Sequence, residues 1–221
     1  MIKRDTRKMI ENCLASAIMQ SNLSDIHVIK LIDEIGINRN TFYYYFSSKY
    51  DVTMSIFRQD LDIALKEEFS SEELIYAPLV LKNGSTNLAY WTHIETGAHE
   101  LDLSHWMHCI IKCLLAKESL YRKLFSLREI EFMQATENLW LQACEADIRF
   151  ILSGRYMPTE TFSAITVLMA RMINSTIRYF FEHAGDADSL LEKRINPFLN
   201  IMQESISRAI LAHPITRRSG H

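Results

Sequence analysis

A chain of 221 residues with 48% hydrophobic and 23% charged side chains has the composition of an ordinary folded protein, which excludes a disordered or low-complexity one. Its net charge of −3 excludes a general affinity for nucleic acid, although residues 1–50 hold seven basic and five acidic side chains, a small local excess of positive charge. Only six glycines and four prolines stand among abundant helix formers, so an all-α protein is expected.

In chain order, apolar Ile10, Leu14, Ala17 and Ile18 give a one-faced helix from about Arg4 to Gln20, broken by SNLSD. Val28, Leu31, Ile32 and Ile35 repeat at helical spacing, and Gly36 is placed to end that second helix in a left-handed cap. Asn38 is placed to cap a third helix through Arg39–Phe46. Ser48, with Asp51 three residues on, marks a fourth helix reaching about Glu68. Residues 69–102 read as a short helix and a loop, with a β-like fragment at Leu79-Val80-Leu81. Helical spacing returns in one helix from about Leu103 to Ala116, a short one over Leu120–Phe125 and a long one over Leu127–Leu152. Another follows from Pro158-Thr159 to Gly185. The last is interrupted where Asn196-Pro197 supplies a cap and a first-turn proline.

The informative segment is residues 27–57. Two short helices joined at Gly36 make a helix-turn-helix, whose second helix can enter the DNA major groove. If Phe42 and Phe46 face the core with Ile37, the opposite side presents Arg39, Asn40, Tyr43 and Tyr44. Arg can bond bidentately to guanine and Asn to adenine, so Arg39 and Asn40 are the candidate base readers. Tyr43 and Tyr45 suit phosphate contacts, Tyr44 a thymine methyl or sugar edge, and Lys49 a phosphate at the next helix start. Asn38 and Thr41 complete the candidate DNA-binding set.

The stretch IDEIGINRNTFYYYFSSKYDV resembles the signature of the TetR (tetracycline-repressor-like) family, with Gly36, Ile37, Asn38, Thr41, Phe42, Tyr43, Phe46 and Lys49 at matching positions. It departs at Tyr45, where the family usually has His, at Asn40, where Gly or Pro is common, and at Ile32 and Ile35, where Ala is common. The motif likeness covers about residues 4–60. It implies an N-terminal three-helix helix-turn-helix DNA-binding domain over 1–48. Helix 49–68 then leads into a larger helical ligand-binding and dimerisation domain over 49–221. It also implies a homodimer through the last two long helices, a near-palindromic double-stranded operator, and a repressor released by a small-molecule effector.

Trp106, Met133, Trp140, Met169 and Tyr179 are candidates for an apolar effector pocket, each set against the plainer reading of core packing. His105, Cys109 and Cys113 fall at i, i+4 and i+8, a spacing open to metal or thiol sensing, but a fourth ligand is lacking and buried cysteine is common. Regulation through a protein partner is the other alternative to a small-molecule pocket. No nucleophile elbow, phosphate loop, HExxH or CxxC is present, so no enzyme, cofactor or metal is expected. The N-terminal MIKRDTRKMIENC lacks a signal-peptide core, no run of about 18 apolar residues occurs, and Cys13, Cys109, Cys113 and Cys144 follow no paired framework. The expectation is a cytoplasmic protein with reduced thiols and no membrane span.

Overall fold

The computed structural model describes residues 5–77, 87–97, 100–183 and 185–213. The fragment Leu79–Leu81 lies outside them. Helices dominate: α1 (Thr6–Gln20), a 3-10 turn (Leu23–Asp25), α2 (Val28–Ile35), α3 (Arg39–Tyr45), α4 (Lys49–Glu68), α5 (Leu103–Leu115), α6 (Glu118–Leu124), α7 (Ile130–Leu152), α8 (Thr159–His183), α9 (Ala187–Leu190), a π turn (Leu191–Ile195) and α10 (Asn196–Leu211). The short helix expected within 69–102 is replaced among the described residues by strands: β1 (Leu74–Ala77) beside β2 (Leu88–Thr92), and β3 (Glu95–Gly97) antiparallel to β4 (Glu100–Leu101). The reason is in the residues. LIYA and LAYWT are rich in aromatic and branched side chains, which favour a pleated, half-buried surface.

The chain forms two compact units, residues 1–90 with 112–136, and residues 91–111 with 137–221. In the first, Ile10, Leu14 and Ile18 of α1 are fully buried, as are Phe42 of α3 and Val52, Phe57, Leu61 and Leu65 of α4. Phe57 meets Tyr121, Phe125 and Phe132 edge-on, at centroid distances of 6.0, 6.1 and 5.8 Å. Lys123 reaches back to the α1 C-terminus and donates to the carbonyls of Ile18 and Met19, each at 2.8 Å. That satisfies carbonyls which a helix end leaves without partners.

The second unit is organised around three fully buried tryptophans. Trp106 lies 4.2 Å from Trp91 and 5.2 Å from Trp140, centroid to centroid. Asp147, also fully buried, accepts from Trp91 Nε1 (3.0 Å), the Ile94 backbone (3.3 Å) and His93 Nδ1 (2.8 Å). A buried carboxylate survives there because donors surround it. Asn196 is not a helix cap as expected. Its backbone is already helical, and its side-chain oxygen lies 3.0 Å from His108 Nε2. The π turn runs straight into α10, with Pro197 in the first turn, where a missing N–H costs little.

Candidate nucleic-acid interface

The turn between α2 and α3 is fixed by Gly36, whose φ of +73° puts it in the left-handed region. Its N–H returns to the carbonyls of Ile32 and Asp33, and Ile37 N–H to Ile32, closing the end of α2. Asn38 starts α3: its Oδ1 accepts from Thr41 N (2.8 Å) and from Thr41 Oγ1 (3.0 Å). Three residues past the end of α3, Ser48 caps α4 by accepting from Asp51 N, and the Asp51 carboxylate accepts from Ser47 N at 2.9 Å. Local chemistry therefore fixes the start of the seven-residue α3 and the start of α4 that follows it.

Phe42 and Phe46 point inward at 0% and 2% exposure, their rings 6.2 Å apart, and the Arg7 guanidinium covers Phe46 at 4.6 Å. Arg7 is anchored in turn to Ser55 and Glu11. The other side of α3 is open: Asn38, Arg39 and Asn40 are exposed, as are Tyr43 (39%) and Tyr44 (54%), while Thr41 and Tyr45 are half-buried. Arg39 lies over the Tyr43 ring at 5.5 Å, and Tyr44 meets Tyr45 edge-on at 4.9 Å. These contacts narrow the rotamers of the exposed face without consuming the Arg39 hydrogen-bond donors.

Two of the sequence-selected residues are already occupied. Asn38 is spent on the cap. The Lys49 ammonium donates to the carbonyls of Ser24 (2.7 Å) and Ile26 (2.9 Å), and so ties the start of α4 to the turn before α2. Burial pulls the Lys49 pKa down, against the pull of Glu129, Glu131 and Asp25. With two of three ammonium protons committed, one is left for an outside acceptor.

Glu129, which sequence reasoning missed, belongs to the same corner. Its Oε1 accepts from Leu23 N at 2.9 Å across 106 residues of sequence, and its Oε2 is buried without a hydrogen-bond partner among the described residues. Burial raises its pKa, opposed by the Leu23 and Ser24 N–H groups and by Lys49. No local sequence signal marks a pairing over that separation.

The pocket candidates divide. Trp106 and Trp140 meet in the buried tryptophan cluster, and Trp140 Nε1 donates to Asn174 at 2.8 Å. Met169 is buried on α8, Met133 is half-buried in the first unit, and Tyr179 lines a groove of about 460 Å³ with Met172, Arg194 and Phe198. Along α5, His105 is exposed, Cys113 half-buried and Cys109 buried. Among the described residues no group of three or more His, Cys, Asp or Glu is arranged to hold a metal, and none of the four cysteines is in a disulfide. Burial raises the Cys144 thiol, and burial together with Glu34 raises Cys13 to about 11, which makes both poor thiolates at neutral pH. No described helix is long and apolar enough to cross a membrane.

The fold has a solved counterpart. The structure titled "Dihydroxyacetone kinase operon activator DhaS" matches over 90% of this chain and 97% of its own, with a TM-score of 0.50 at 15% sequence identity. A TetR family transcriptional regulator from Chloroflexus aurantiacus covers 96% of this chain and 92% of its own, at 13% identity and a TM-score of 0.37. The DhaS likeness shows the fold alone, a predominantly helical architecture shared along 90% of this chain. No protein-family model matches, and no curated protein matches.

Proposed function

We propose that this protein is a sequence-specific DNA-binding transcription regulator, a dimer whose α3 enters the major groove. The observation that carries the reading is the exposed Arg39, Asn40, Tyr43 and Tyr44 face of a helix capped at its start and pinned by Phe42 and Phe46 beneath. Arg39 and Asn40 are the base readers, Tyr43, Tyr44 and Tyr45 flank them at the sugar-phosphate backbone, and Asn38 and Thr41 shape the helix start. Lys49 offers its remaining proton to one phosphate and otherwise holds the head together. In this reading residues 1–48 form the DNA-binding head and residues 49–221 the regulatory and dimerisation part. The molecule is cytoplasmic, acts as a repressor and performs no catalysis.

The dimer forms through α8 and α10. Leu168 on α8 and Phe198, Ile201 and Leu211 on α10 are apolar yet 43–66% exposed, a pattern suited to burial against the same surface of a second copy. Two heads related by a two-fold axis then read a near-palindromic operator. A ligand that prefers the DNA-incompetent arrangement releases it. DhaS is named an operon activator, so the sign of regulation has its own test: a reporter driven from the selected operator falls when a repressor is expressed. The interface is tested by selecting duplexes from a random pool with the full chain. Enrichment of one two-fold-related sequence supports the reading, and recovery of unenriched pool defeats it.

A further inference from the structure

We infer that the guanidinium of Arg58 anchors a binding site for a small monocarboxylate. The inference names the chemical class of the effector, and so rests on the ligand-responsive regulator proposed above. Arg58 lies in the middle of α4 and is only 6% exposed. A guanidinium has five N–H donors. Among the described residues one of them makes a hydrogen bond, from Nη2 to the Leu88 carbonyl at 3.3 Å, a long contact for this type. The Nε is buried and has no hydrogen-bond partner among the described residues. The guanidinium lies over the Tyr90 ring at 5.4 Å.

The counter-charge is short. Among the described residues no carboxylate forms an ion pair with Arg58. Asp62, one turn further along α4 and 7% exposed, is committed elsewhere: Oδ2 accepts from Lys66 at 2.8 Å and Oδ1 from Ala89 N at 2.7 Å. Lys66 in turn lies over the Tyr76 ring at 5.9 Å. Two cations on one helix face therefore share one carboxylate. Burial pulls the Arg58 pKa down to about 10, with Tyr90 and Asp62 opposing it, so the group is still charged at neutral pH. A buried charge with unused donors is costly unless something completes it, and buried polar atoms left unpaired concentrate at functional sites.

The chemistry selects the partner. The unmatched charge is one, and the donors form a planar fork, which fits the two oxygens of a carboxylate. A phosphate dianion would overshoot the charge and leave oxygens unpaired in a nearly dry site.

The test uses the full chain without DNA. Melting temperature and calorimetric affinity are measured with benzoate and hexanoate at constant ionic strength, against benzamide, hexanamide and inorganic phosphate. The proposal expects a saturable rise in melting temperature with at least one carboxylate and none with its amide. Arg58→Met, close in shape and uncharged, and Arg58→Lys, charged but without the fork, each lose about tenfold or more in affinity. Unliganded Arg58→Met melts at or above the wild type, because an under-compensated buried charge is removed. No shift with either carboxylate, an equal shift with the amides, or an unchanged shift in Arg58→Met overturns the proposal. Should Arg58→Met fail to fold, unchanged affinity in Arg58→Lys overturns it instead. Duplex binding is measured separately: carboxylate binding without duplex affinity defeats the regulator and keeps the site, and duplex affinity without carboxylate binding does the reverse.

Discussion

At Lys49 the ammonium donates to two backbone carbonyls, those of Ser24 and Ile26, so its replacement acts on the head's own turn before any duplex is present. Lys49→Ala is expected to lower stability by about 1 kcal/mol, the discounted worth of charge-assisted bonds at a half-exposed site. It also weakens all duplexes about equally, read by urea melting alongside fluorescence anisotropy on several sequences. Arg39→Ala and Asn40→Ala act differently. Each is expected to leave melting unchanged and to relax preference at one or two base pairs, by about 1–3 kcal/mol per lost bidentate contact. Glu129 supplies a pH test. Because burial raises its pKa, the folded state holds that proton more tightly than the unfolded one. Stability from this group is therefore present at low pH and lost as pH climbs from the ordinary carboxyl value through the raised one. Glu129→Gln keeps an oxygen for Leu23 N–H and should flatten the stability slope above the ordinary carboxyl range, read by urea melts. An unaltered slope would remove Glu129 as its source.

Helix α3 depends on the residues that lead into it. At φ +73° Gly36 has open space around the position of a Cβ, so Gly36→Ala costs backbone strain alone, about 1–2 kcal/mol. Asn38→Ala removes the cap on Thr41 and costs about 1 kcal/mol. Both should lower the melting temperature and weaken duplex binding without altering which sequence is preferred. These elements were legible in the sequence because their signals are local: a glycine after an apolar stripe, Asn38 before α3, Ser48 with Asp51 before α4. The β1–β2 and β3–β4 ribbons were not, since short strands draw their stability from partners elsewhere in the chain, and LAYWT alone does not reveal which segment it pairs with. Asn196 misled for a related reason. Asn-Pro is a common helix start, but here the preceding π turn already carries the helix and the side chain turns to His108. The exposed side of α3 could be read from spacing, whereas the uses of Lys49 and Glu129 could not, because their partners lie 23 to 106 residues away.

For the molecule as a whole, the dimer prediction turns on exposed apolar side chains that contribute little to the fold of one copy. Leu168→Asp and Ile201→Asp are expected to leave secondary structure and melting of the isolated chain nearly unchanged, since both positions are 60% exposed or more. They should shift sedimentation from dimer to monomer and lower operator affinity sharply, because a single head makes half the contacts. The charge distribution sets the expected salt behaviour. With a net charge of −3, the proposed duplex binding has to run through a local cationic face, so its affinity is expected from a limited number of phosphate contacts plus base readout. The most direct measurement is therefore a titration of the full chain with its selected operator and with an unrelated duplex, repeated at several salt concentrations. The account predicts operator binding that weakens linearly on a logarithmic salt scale, well above the unrelated duplex at every salt, with the margin reduced by Arg39→Ala. Equal affinity for the two duplexes, or no binding to either at low salt, would contradict it.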